Sequence, residues 1–326
     1  MLTRRFFLRC LTAAAAATAL PFSAVRAATP ALMTETRLMM GTFVTIKTSG
    51  VSEMQASEAM GRAFERMIRL EAALTRFDSA SALGQLNAAG RLSDAPEPLM
   101  TVIRSAVDMH RVTGGFFDPT ILSLLELLEG RSTGLSARET AEASELIGMN
   151  HVEVKNDSIC FSRSGMKMSL DGIAKGYIAD EGARAMRSAG VRNFLINAGG
   201  DIVAEGDKGG LPWRVAVENP EKYHGNTAYP AVRTLKNQAM ATSGSYENTL
   251  GSDGRLNHLI SPVTGRCAAL PGASVVASSA MEADALATAL CVMSRPAEFM
   301  EKLPDALKPG GRVAILTFHS GEDKLV

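Results

Sequence analysis

Apolar positions change their spacing repeatedly along the chain, and each change predicts an element. Residues 36–48, TRLMMGTFVTIKT, alternate around Met40, Phe43, Val44 and Ile46 and predict the first strand. From 52 to 73 the period becomes helical, carried by Met60, Phe64, Met67, Ile68 and Glu71. Residues 74–90 are small and polar and predict a loop with a short helical turn. A helix follows over about 96–112, stopped by Gly114-Gly115. The run GGFFDPTILSLLELLEG predicts a loop feeding another helix, with Pro119 near its start. Ser136 with Glu139 three residues on is a capping-box signature for the next helix. Residues 151–170 predict a hairpin turning at Asn156-Asp157.

Beyond the hairpin, MSLDGIAKGYIAD (168–180) enters a helix that runs to about Ala189. RNFLINAGGDIVAEG predicts strand, Gly-Gly break, strand. Residues 213–220 and 234–248 are strand-rich, and HLISPVTGR predicts a turn. ASVVASSAMEADALATALCVMS predicts a strand running into a helix. A short helix and a last strand, GRVAILTF, end the pattern. Strands and helices mix without regular βαβ alternation, which predicts an α+β class, a mixed α/β fold with mixed sheets and flanking helices.

Composition changes this picture mainly at the start of the chain. Arg4 and Arg5 precede Phe6, Phe7 and Leu8, and an alanine-rich run follows that is too short for a membrane span. The pattern resembles a twin-arginine export signal cut after Ala27, which predicts a periplasmic protein of residues 28–326 handled by the Tat export machinery. Residues 1–27 hold four arginines and no acids, so thirty basic residues face thirty-four acidic ones beyond the cut, a net charge of −4. No basic stripe remains, and nucleic acid is excluded as a partner. Cys160, Cys267 and Cys291 have no spacing motif and read as buried thiols; without Cys-x-x-Cys or paired histidines, zinc is excluded.

Several runs offer chemistry. Asp284 and Thr288 lie four apart on a predicted helix and share a face. Both are hard oxygen donors suited to Mg²⁺; spacing alone favours instead a capping Asp and a Thr bonded to the backbone one turn back. Gly172 offers an exposed carbonyl, and Lys175 either meets a phosphate or snorkels. Asp171 reads equally as a first-turn helix charge. Phe116 and Phe117 beside Asp118 either flank a planar ring or pack in the core. His258 is the one histidine in a suggestive setting. The glycines of NAGGDI lack the dinucleotide-fold spacing, and no Gly-x-Ser-x-Gly or His-Glu-x-x-His is present.

In order, MGTFVTI, RFDSASALGQLN, GGFFDPT, LDGIAKGYIAD, NAGGDI, ATSGSYEN, HLISPVTGR and EADALATAL resemble the ApbE family of FAD:protein FMN transferases over about residues 38–294. The resemblance implies an enzyme that binds FAD with Mg²⁺, splits the pyrophosphate, attaches FMN by a phosphoester to a Thr or Ser of a target protein, and releases AMP. It implies Gly172, Asp284 and Thr288 as metal ligands. Met40, Phe77, Phe116, Phe117, Asp118, Ser169, Lys175 and Ile260 fall on FAD-contact positions, and His258 and Asp171 are the candidates for catalysis. Many family members carry Asp where this chain has Ser169, and Gly or Ser where it has Asp171, which moves a carboxylate two residues along. Two related outcomes stay open, an FAD pyrophosphatase and a non-catalytic FAD carrier. Export combined with the resemblance points to a NosX-like branch whose acceptor resembles NosR, a membrane-linked electron-transfer protein. Residues 306–323 resemble a short stretch of 16S rRNA cytosine methyltransferases with no methyl-donor site, which implies only a helix-turn-strand.

Overall fold

The computed structural model describes residues 31–293, except 130, 132, 220–228, 230, 247–248, 251–255 and 269, together with a strand at 315–317. The twin-arginine segment, its cleavage site and the helix expected before the final strand lie outside these residues. In chain order the elements are β1 (Met33–Met39), β2 (Thr42–Thr48), α1 (Glu53–Leu74), α2 (Ala82–Ala89), β3 (Arg91–Leu92), α3 (Glu97–Val112), α4 (Leu122–Leu128), α5 (Ala137–Ser144), β4 (Val152–Lys155), β5 (Ser158–Phe161) and α6 (Ala174–Ser188). They continue as β6 (Phe194–Ala198), β7 (Asp201–Glu205), β8 (Trp213–Val217), β9 (Ala231–Leu235), β10 (Gln238–Gly244), β11 (Thr249–Leu250), β12 (Leu256–Asn257), β13 (Gly272–Ala277), α7 (Ala280–Val292) and β14 (Ile315–Thr317).

The main sheet has seven strands in the order β1-β2-β6-β7-β10-β13-β14, and every neighbouring pair is antiparallel. The smaller sheets are antiparallel too, so strand directions are not mixed within any sheet of the described residues, and the class is α+β. One face of the sheet carries the main core, which it shares with α1, α3, α6 and α7. The other face packs Leu195, Ile202, Met240 and Val276 against Trp213, Val215 and Leu235 of the β8–β9 hairpin.

Helix α1 buries Ala56, Met60, Ala63, Phe64, Met67, Leu70 and Leu74 at three- and four-residue spacing, while Ile68 lies outside that stripe and is exposed. Helix α7 is buried nearly all round, between β10 and β13 on one side and α6 on the other. A charged side chain inside such a helix is costly unless something compensates it, and Asp284 is that side chain.

Three expectations change. Residues 36–48 are not one strand: β1 and β2 form a hairpin closed by Met40 and Gly41, with φ of 51° and 67°. A two-residue turn of this type needs left-handed backbone at both positions. Met40 lacks the Asn or Gly signal, so the apolar alternation ran straight through it. Residues 82–89 form a full helix, capped by the Ser81 side chain and stopped by Gly90 in left-handed conformation. Of the three thiols only Cys291 is buried, whereas Cys160 is exposed. The capping box of Ser136 and Glu139, the Asn156 turn and the Gly199-Gly200 hairpin are as the sequence predicts.

Candidate active site

A cavity of about 580 Å³ opens among the β1–β2 turn, the loop after α1, the 114–121 loop, the segment before α6, the 258–262 loop and α7. That is the size range of small-molecule and nucleotide sites. Met40, Phe77, Phe116, Phe117, Asp118, Ser169, Asp171, Gly172, Lys175, His258, Ile260, Asp284 and Thr288 all line it.

Gly172 of the 168–180 segment lines the cavity, and Gly176 packs against the start of α7. A Cβ on Gly172 would stand 2.7 Å from Thr288 Oγ1, and one on Gly176 would overlap the Ala280 backbone oxygen. Both positions therefore need glycine for close approach to α7, not for unusual dihedrals. The approach lets the Gly176 N–H donate to Asp284 Oδ2 at 3.2 Å, while Ser243 and Thr288 hydroxyls lie 3.3 Å apart. Ser279 is the N-cap of α7 and Asp284 is one turn inside it, so Asp284 is not a capping residue.

Charge is concentrated here. Asp284 is buried, and that burial, followed by the nearby Asp201 carboxylate, raises its pKa well above the usual carboxylate range; Lys175 opposes the shift. Asp201, the first residue of β7, is also buried, which pushes its pKa up to about 6 against the pull of Lys175. Lys175 Nζ lies 3.5 Å from Asp201 Oδ2. Two buried carboxylates around one ammonium form a locale that favours a further cation. Among the described residues, no group of three or more His, Cys, Asp and Glu is arranged to hold a metal. The set of one carboxylate, one hydroxyl and one backbone carbonyl fits Mg²⁺, which takes its remaining ligands from water and substrate phosphates.

The rim is aromatic. Phe77 is 77% exposed, Phe116 half-buried, and Phe117 belongs to the main core. Asp118 serves its own loop: Oδ1 accepts from the Thr120 N–H and hydroxyl, and Oδ2 from the Met149 N–H. His110 Nδ1 lies 3.3 Å from Asp118 Oδ2, and burial raises the Asp118 pKa against these partners. Its carboxylate thus fixes the turn that presents Phe116. Ser169 is buried; its N–H donates to the Pro119 carbonyl and its Oγ accepts from the Asp171 N–H.

Asp171 departs from expectation. Helix α6 begins at Ala174, so Asp171 lies outside its first turn. Its Oδ2 accepts from Arg76 Nε at 2.8 Å. Ile260 packs with α4 while bridging to Cys267, and with His258 it lines the cavity.

Sequence reasoning missed Arg76, Glu71 and Asp201. Glu71 Oε1 accepts from the Met40 N–H at 2.7 Å and holds the strained turn at the rim. Its signal was a lone acid on the α1 face otherwise given to core. Asp201 had a signal too, an acid directly after two glycines and ahead of the buried Ile202 and Val203.

Comparison with known proteins gives the family. The ApbE family model matches residues 40–308. FAD:protein FMN transferase of Escherichia coli K12 is 30% identical over 269 residues, covering 78% of this chain and 76% of that protein. The Klebsiella pneumoniae protein of the same name is 29% identical over 298 residues, 87% and 83%. Among solved structures, the ApbE protein of Thermotoga maritima superposes with a TM-score of 0.76 at 28% identity, covering 88% of this chain and 94% of that one. The flavin transferase ApbE of Vibrio cholerae, at 23% identity and a TM-score of 0.72 over 88% and 93% of the two chains, shares the fold. The chain belongs to the ApbE family.

Proposed function

We infer that this chain is an FAD:protein FMN transferase and that the cavity is its FAD site. The observation carrying this is the convergence of Gly172, Lys175, Asp284 and Thr288 in a cavity with an aromatic rim. Phe77 and Phe116, both lining the cavity, are assigned to covering planar rings. Lys175 is assigned to facing a phosphate; its ammonium lies 3.5 Å from Asp201 Oδ2, which supports that assignment.

We further propose that Asp284, Thr288 and the Gly172 carbonyl hold Mg²⁺. When bound, the ion supplies Lewis-acid neutralisation of the pyrophosphate charge. A Thr or Ser hydroxyl of the acceptor attacks the phosphorus on the FMN side; the new P–O bond forms as the bond to AMP breaks. AMP leaves with the bridging oxygen, and the acceptor's proton passes to a base. His258, in the wall of the cavity, is the proposed holder of that proton. Asp171, expected as a catalytic carboxylate, is engaged by Arg76, and no proton step is assigned to it.

The proposed setting is the periplasm, reached through the twin-arginine segment, with a NosR-like membrane-linked acceptor. Incubating the mature protein with FAD, Mg²⁺ and an acceptor domain tests the reading. Covalent flavin fluorescence on the acceptor is expected. Free FMN and AMP without labelling mark a pyrophosphatase, and intact FAD marks a carrier.

A further inference from the structure

Two long cationic side chains line the cavity, Lys175 and Arg76. Arg76 Nε donates to Asp171 Oδ2 at 2.8 Å, and Nη2 stands 3.9 Å from Glu129 Oε1, beyond hydrogen-bond distance. Its guanidinium carbon lies 4.2 Å from the centroid of the Phe77 ring. The two partners differ in exposure: the Arg76 side chain is 14% exposed, that of Asp171 52%.

That difference sets which partner can be exchanged. A sheltered guanidinium stacked on a ring is fixed in place and has lost much of its own hydration. A half-exposed carboxylate is already hydrated and turns into water at small cost. Arg76 uses one N–H of its planar fork on Asp171, and the fork suits a phosphate at least as well as a carboxylate.

We propose that Arg76 binds a phosphate of the flavin nucleotide and that Asp171 occupies its guanidinium until the nucleotide arrives. The ligand's phosphate and the Asp171 carboxylate then compete for the same N–H edge. Asp171 acts as an internal competitor that lowers affinity for phosphate-bearing ligands and leaves phosphate-free ones untouched. This deepens the FAD reading of the cavity and rests on it.

Equilibrium titration of the mature protein with FAD, riboflavin and adenosine tests the proposal, comparing wild type with Arg76→Gln and Asp171→Asn. Riboflavin and adenosine are the two phosphate-free portions of FAD, so a phosphate effect appears with FAD alone. Arg76→Gln is expected to weaken FAD about tenfold, the scale of one charge-assisted hydrogen bond. Asp171→Asn is expected to tighten FAD by about three- to tenfold. Riboflavin and adenosine should stay within about twofold of wild type in both variants. If Arg76→Gln weakens riboflavin or adenosine as much as FAD, Arg76 only stacks, and the proposal is overturned. If Asp171→Asn weakens FAD, the competition is overturned. A wild-type protein that binds none of the three sinks the FAD reading and this inference together. Wild-type binding of FAD with no discrimination in the variants sinks only the inference.

Discussion

Gly172 and Thr288 touch with no room for a side chain between them: a methyl at Gly172 would lie 2.7 Å from the Thr288 hydroxyl oxygen. The loop before α6 and the third turn of α7 are thereby locked together at the point where the proposed metal donors lie. Gly176 and Ala280 repeat the contact one turn along α6, backbone against backbone. The two glycines have the same cause and different consequences.

Gly172→Ala should affect the site more than the fold. The obstacle is a side chain that can shift by a few tenths of an ångström, so melting should fall by only about 1 kcal/mol equivalent. Displacing Thr288 should raise the Mg²⁺ concentration for half-maximal FMN transfer about tenfold or more. Unchanged Mg²⁺ dependence in a variant with normal melting would detach Gly172 from the metal site.

Gly176→Ala should affect the fold. The new methyl meets the Ala280 carbonyl oxygen and carbon, which cannot move without separating α6 from α7. Overpacking of this kind costs about 1–3 kcal/mol or more. Chemical denaturation should show a lowered midpoint, whereas a wild-type midpoint would mean that the helices do not pack as described.

Asp180 gives a pH signature. It is half-buried, accepts the Ala280 and Met281 N–H groups at 2.9 Å each, and its pKa is raised by desolvation of the carboxyl to about 6 from 3.8. The folded state therefore keeps a proton that the unfolded chain releases. Stability from this group is full below pH 3.8, falls as pH rises through about 6, and is level above that. Asp180→Asn removes the titration. The variant's stability relative to wild type should thus shift in its favour by about 2–3 kcal/mol between pH 4 and pH 7. Urea midpoints at the two pH values measure this, and a pH-independent difference would mean that Asp180 ionises normally in the fold.

Much of the candidate site was legible because its residues sit in short runs tied to glycine. All thirteen candidates share one cavity, including Met40 and Asp284, which are 244 positions apart in the chain. What was hidden depends on tertiary partners. The Met40–Gly41 turn is held by Glu71, a residue on another element, so the local sequence lacks turn residues. Asp171 looked like a helix-entry charge, and only the fold brings Arg76 to it from 95 positions away. Phe117 and Asp118 looked like ligand contacts and both line the cavity, but the sequence did not show that Phe117 also packs in the core or that Asp118 also ties down its own loop. The Lys175–Asp201 pair likewise joins a helix to a hairpin whose glycines read only as a tight turn.

Asp284 is proposed to organise Mg²⁺ against the FAD pyrophosphate, and FMN transfer by Asp284→Ala across an Mg²⁺ titration is the decisive test. Asp284 supplies the one carboxylate of the proposed metal donor set, from within a buried helix. Wild-type activity should vanish in EDTA and return with Mg²⁺. Asp284→Ala should bind FAD through the rim and yet transfer FMN at least about a thousandfold more slowly at any Mg²⁺ concentration, the scale of a lost electrostatic stabiliser. Thr288→Val, which loses a neutral hydroxyl, should lose less. Near-wild-type FMN transfer by Asp284→Ala at low Mg²⁺ would contradict both the metal site and the chemistry built on it.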